Sequence, residues 1–123
     1  MIDALPWLGA GALGALGALG RFTVDAAVSA RRPSDFPFGT LAVNLSGGFA
    51  LGLLVGLGVA GDARFVLGTG LLGGYTTFST WMVEAQRLGE DGEWRLMWLN
   101  LVVPMAAGLG ATGLGWIIGA AVT

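Results

Sequence analysis

The residues best able to do chemistry are concentrated in one stretch. Residues 73 to 81 read Gly-Gly-Tyr-Thr-Thr-Phe-Ser-Thr-Trp, inside a segment that is otherwise apolar. Gly costs about 1 kcal/mol relative to Ala in a helix, and Thr, Ser and aromatic residues are also poor formers. No strong helix former interrupts the run, which predicts a break or an unwound turn. A break frees N–H and C=O groups, and in hydrocarbon such backbone is tolerated only where protein buries it or where it lines a polar cavity. Carbonyls freed at the end of a half-helix favour a cation. Hydroxyls and the positive edges of aromatic rings favour an anion. The plain structural alternative is a glycine kink closed by the Ser and Thr hydroxyls.

Three further polar positions stand out. Asn44 lies among apolar residues, where it serves either as an interhelical hydrogen bond or as an amide donor lining a pore. Arg21 has Asp25 four residues on, which fits an i,i+4 pair near the membrane interface or an anion-attracting vestibule residue. Glu84 ends its apolar stretch and marks an interface. Cys and His are both absent, which removes disulfides, thiol nucleophiles and the usual zinc sites and proton shuttle. No Ser has a nearby base to activate it, so an intramembrane enzyme is the weakest function class. Gly9, Gly11 and Gly14 fit the dinucleotide pattern G-x-G-x-x-G, but that pattern binds only after a strand, and here it opens an apolar span.

The elements that must position these residues follow from composition. The chain is 54% hydrophobic and 11% charged, whereas a soluble domain carries about 25% charged residues. Lipid must therefore be its solvent. The net charge of −2 supplies no basic stripe for a nucleic acid. Approximate spans at 4–28, 38–60, 65–87 and 95–122 are each long enough to cross a hydrocarbon core of about 30 Å. Their links are short, so successive helices run antiparallel and pack as neighbours. The fold class expected is an all-α integral membrane protein of one domain, with four transmembrane helices and a broken third. The N-terminal run lacks a basic leader and reads as the first span, not a signal peptide.

The 23 glycines read as small residues that let helix backbones approach closely in lipid. Thr40, Asn44, Gly48, Gly52 and Gly56 recur at intervals of four on the second helix, as do Asn100, Pro104, Gly108 and Thr112 on the fourth. Each set falls on one face. The first helix carries Gly-Ala-Leu repeats from Gly11 to Gly20, which make a broader small-residue surface.

With these motifs in order, the chain resembles the Fluc (CrcB-type) fluoride channels over essentially its whole length. Gly17-Ala18-Leu19-Gly20-Arg21-Phe22 is similar to that family's first-helix motif. Pro37 to Asn44 (PFGTLAVN), with Gly47, Phe49 and Gly52, is similar to the second, and Gly73 to Trp81 with Glu84 to the third. The resemblance implies an antiparallel dimer of oppositely inserted subunits with two pores along the interface. It implies a structural Na⁺ at the centre, held by the backbone of Gly73 and Thr76. It further implies passive fluoride export past Asn44, Phe78, Ser79, Thr80 and Trp81, from a multi-pass protein of the cell inner membrane. Arg21 and Glu84 would serve as vestibule or structural charges. Fluoride is small and strongly hydrated, so amides, hydroxyls and ring edges suit it better than a full charge that would hold it too tightly to conduct.

Two departures from the family pattern matter. Trp81 stands where the family usually has Phe, and it adds an N–H donor. Pro104 stands where the fourth helix usually has Ser or Asn, leaving Thr112 to supply a hydroxyl on that face. Charge bias adds a third point. Arg31, Arg32, Arg87 and Arg95 flank the first and third loops and only Arg64 the second, which predicts cytoplasmic first and third loops. A self-pairing dual-topology protein should have little bias, so the partner is either a second copy or an oppositely oriented paralogue. Two other functions compete: a degenerate, non-conducting subunit of a heteromeric channel, and a small four-helix multidrug transporter. The transporter needs a membrane carboxylate in the first helix, and residues 4–24 hold none.

Overall fold

The computed structural model describes residues 3–123, and those residues form helices and no strand. Helix α1 spans Leu5–Arg31 and α2 Phe38–Gly56. A short α3 (Gly61–Arg64) runs without interruption into a wide-turned π-helical segment, Phe65–Leu72, and then α4, Gly73–Tyr75. After a gap of three residues come α5 (Ser79–Glu90) and α6 (Trp94–Ala121). Four rods result: α1, α2, the α3-to-α5 series, and α6. Of these, α2 and α6 are long and apolar enough to cross a membrane as single helices. The third rod is divided into pieces, and Arg21 and Asp25 interrupt the apolar run of α1.

Local chemistry sets the ends. Pro6 occupies the first turn of α1, where its missing N–H is no loss. Arg32 leaves helical geometry at φ −131° and ψ 67° because the following Pro33 disfavours the α region. Gly58 and Gly92 take φ of +81° and +76° just beyond α2 and α5, a left-handed conformation that side-chain-bearing residues avoid.

Packing is made by backbone against backbone. The α2–α6 contact is the most extensive, followed by α1 against the π-helical segment. A Cβ added at Gly52 or Gly56 would overlap the carbonyl of Thr112 or Trp116, and one at Gly115 that of Phe49. Across the bundle, a Cβ at Gly17 would meet the Leu71 carbonyl, and one at Gly74 the Gly14 carbonyl. The four-residue face of α2 thus serves two neighbours. Thr40 and Asn44 meet the second half of the third rod, while Gly48, Gly52 and Gly56 meet α6. Large apolar side chains such as Trp98, Leu109 and Ile117 point outward. So extended an apolar exterior requires lipid or a partner to cover it.

Candidate functional site

The site grows from the three residues between α4 and α5. Thr76 closes the last turn of α4 with its N–H and its hydroxyl, both donating to the Leu72 carbonyl at 2.9 Å. Its own backbone is extended, at φ −80° and ψ 162°. The next N–H, on Thr77, would continue the helix by bonding the Gly73 carbonyl. It donates instead to Asn44 Oδ1 at 2.9 Å. The Thr80 N–H would reach the Thr76 carbonyl in a continuous helix, but it donates to Thr77 Oγ1 at 3.1 Å. Two diverted donors therefore leave the Gly73 and Thr76 carbonyls without their helical partners.

Asn44 has a double task. Besides accepting from the Thr77 N–H, its Nδ2 donates to the Thr77 carbonyl at 2.8 Å. The amide so satisfies both polar groups of a residue that lies outside any helix, as buried backbone requires. One N–H of the Asn44 amide is spent in this way. The other remains for a ligand, since an amide carries two donors. Asn44 therefore makes the interhelical hydrogen bonds, and its side chain also borders the groove.

Around this break lies an open groove of about 400 Å³. Gly73, Thr76, Phe78 and Trp81 line it from the third rod, Asn44 from α2, and Thr112 from α6. Among the described residues, no charged side chain lines it. Phe78 is 68% exposed, so its ring is available to whatever enters. The Phe78 and Trp81 rings meet edge to face, with centroids 5.8 Å apart and planes at 88°. Ser79 is exposed at the first turn of α5 and is not part of the groove wall.

Thr80 sits on the opposite side of α5. It lines a smaller cavity of about 100 Å³ with Arg21, Asp25, Thr40 and Thr77. The side chains that an i,i+4 pair would join go elsewhere. Asp25 Oδ1 accepts from Ser29 Oγ at 3.2 Å, and the Arg21 guanidinium lies 5.9 Å from the Phe22 ring centroid. Arg21 Nε is buried with no partner. Glu84 Oε1 accepts from the Thr40 hydroxyl at 2.6 Å, tying α5 to α2 one turn from Asn44.

Three supporting contacts escaped sequence reasoning. Thr40 is 4% exposed and anchors Glu84. The Thr77 hydroxyl accepts from the Thr80 N–H at the start of α5. Ser46 shares a 2.8 Å hydrogen bond with Tyr75. Only Thr77 left a local trace, as a hydroxyl three residues ahead of an N–H it could accept from.

The family profile described as CrcB-like protein, Camphor Resistance (CrcB), matches residues 8–116, a range that includes the whole groove. The chain belongs to the CrcB family. Its relatives include a protein of Mycobacterium bovis named fluoride-specific ion channel FluC 2, 48% identical over 112 residues. That match covers 90% of this chain and 89% of the relative. The FluC 2 of Mycolicibacterium paratuberculosis is 47% identical over 115 residues, 94% of each chain. A protein of Leifsonia xyli named fluoride-specific ion channel FluC 1 is 45% identical over 118 residues, covering 92% of this chain and 84% of its own length. As a CrcB protein the chain is a membrane protein, consistent with its charge-poor composition and its apolar exterior.

Proposed function

We propose that this CrcB protein is a passive, selective fluoride channel that exports cytoplasmic fluoride down its electrochemical gradient, and not an enzyme. The observation that carries this is the groove: a second amide N–H on Asn44, the hydroxyl of Thr112, and the rings of Phe78 and Trp81, with no charged side chain among the described residues that line it. Such a lining replaces the hydration of a small anion with many weak donors, which lets it both enter and leave. The names of the relatives support fluoride as that anion. Thr80 and Arg21 share the smaller cavity beside the break and would draw anions there, Ser79 would meet an anion only from outside the groove wall, and Glu84 would hold α5 in place through Thr40.

The broken third span has a second role in this proposal. The carbonyls of Gly73 and Thr76 lack helical donors, and hard oxygen atoms of this kind suit an alkali cation such as Na⁺. Two carbonyls are few for one ion, and an oppositely oriented second subunit would double them. The open groove and the exposed Gly73 support such a partner. The arginine bias and the relatives named FluC 1 and FluC 2 leave the partner open between a second copy and a paralogue. Liposomes that carry the pure chain should release fluoride and retain chloride. Release of both anions at similar rates would remove selectivity from the proposal.

A further inference from the structure

Two departures from the family pattern, Trp81 and Pro104, lie on different rods and are 23 positions apart in the chain. The structure joins them through Asn100. In an α-helix the N–H of residue 104 would donate to the carbonyl of residue 100. Proline has no N–H, so Pro104 leaves the Asn100 carbonyl without its helical donor. Asn100 is 1% exposed and Pro104 is buried, so water cannot serve in its place, and an unmet buried carbonyl is costly. The Trp81 indole N–H donates to that carbonyl. Asn100 Nδ2 in turn reaches toward the Trp81 carbonyl at 3.4 Å.

We infer that Trp81 and Pro104 form one device, in which the indole N–H replaces the helix hydrogen bond that Pro104 omits and so fixes the ring against α6. The indole has a single N–H, and this contact uses it. The groove therefore meets the carbon atoms of the Trp81 ring and not its N–H, beside the ring of Phe78. Trp81 lines the path as an apolar ring would, and its polar edge is no donor to the anion. Pro104 is a positioning residue that acts through Trp81. A Ser at position 104 would satisfy Asn100 within α6 and leave the indole free to turn. The inference deepens the fluoride-channel proposal, because it assigns the chemical character of one pore-lining ring.

The test is a double-mutant cycle on the full chain, read in two independent ways. In the Pro104 background, Trp81→Phe keeps a ring and removes the donor, which leaves a buried carbonyl unmet and the ring untethered, and fluoride efflux per inserted protein should fall severalfold. In the Pro104→Ala background the helix supplies its own N–H, and the same Trp81→Phe change should cost less than about twofold. Equal losses in both backgrounds would overturn the inference. So would a Trp81→Phe chain that melts at a lower temperature yet conducts as before, because the bond would then be a brace without influence on the path. The second reading uses nuclear magnetic resonance of the ¹⁵N-labelled indoles. The Trp81 indole N–H signal should stay in place as fluoride is titrated and should move on Pro104→Ala. A signal that saturates with fluoride identifies the N–H as an anion donor and overturns the inference. This reading needs no conduction and no stable Trp81→Phe variant. A wild-type chain that passes no fluoride but keeps a fluoride-insensitive, Pro104-dependent indole signal would sink the channel proposal and leave the device standing.

Discussion

At the scale of single residues, Asn44 carries the most weight. It holds both polar groups of Thr77, and through them it keeps the third span open. Asn44→Ala would orphan two backbone groups at about 1–3 kcal/mol each. The expected result is a lower melting temperature together with slower fluoride efflux. Asn44→Asp separates the two roles. Its carboxylate still accepts from the Thr77 N–H but cannot donate, and it sets a negative charge in the groove. Fluoride efflux should fall further for Asn44→Asp than for Asn44→Ala. Liposome assays of both variants check the order, and a faster Asn44→Asp chain would exclude Asn44 from the path. Sequence alone left Asn44 open between two roles, because its partner lies 33 positions away and no periodicity reports that distance. The Trp81 bond to Asn100 was hidden for the same reason. The cluster of poor helix formers from Gly73 to Trp81 was legible as one local run, and the three residues between α4 and α5 fall inside it.

At the scale of helices, the glycines divide into those that touch backbone and those that do not. Gly74 lies against the Gly14 backbone and Gly52 against Thr112, whereas Gly110 has open space around it. Gly74→Val or Gly52→Leu would force α1 from the third rod, or α2 from α6. Overpacking of this kind costs about 1–3 kcal/mol or more, and the variants should elute as aggregates or melt well below wild type. Gly110→Ala should leave the melting temperature unchanged or raise it slightly, since Ala favours the helix by about 1 kcal/mol over Gly. Loss of folding in Gly110→Ala would mean that this face packs against protein after all. The four-residue spacing on α2 was readable from sequence. Its division between two neighbours was not, because spacing gives a face but not what the face meets. The π-helical turns of Phe65–Leu72 likewise have no signature in composition.

At the scale of the whole molecule, the proposed channel requires a partner for this chain. Its groove is open on one side, and freed carbonyls stand beside an exposed glycine. A partner would close the groove and complete a cation site. Replacing Na⁺ with a large organic cation should then weaken the dimer, read as an earlier dissociation on dilution in detergent. A dimer indifferent to Na⁺ would remove the cation from the account. The first and third loops share one end of the bundle, where Arg32, Asp35, Arg87 and Asp91 line a common cavity. The chain has no cysteine, so Ser34→Cys provides a single label there. Labelling from the cytoplasmic side alone is expected from the arginine bias. Equal labelling from both sides would mean that the chain inserts both ways, and a paralogue would then be unnecessary.

The central claim is passive conduction selective for fluoride. The most direct measurement is the reversal potential of the purified chain in a planar bilayer under a tenfold fluoride gradient with chloride equal on both sides. A pore that passes only fluoride should reverse about 59 mV from zero and stay at zero when the gradient is made of chloride instead. Reversal that follows the chloride gradient, or no shift under the fluoride gradient, would contradict the claim.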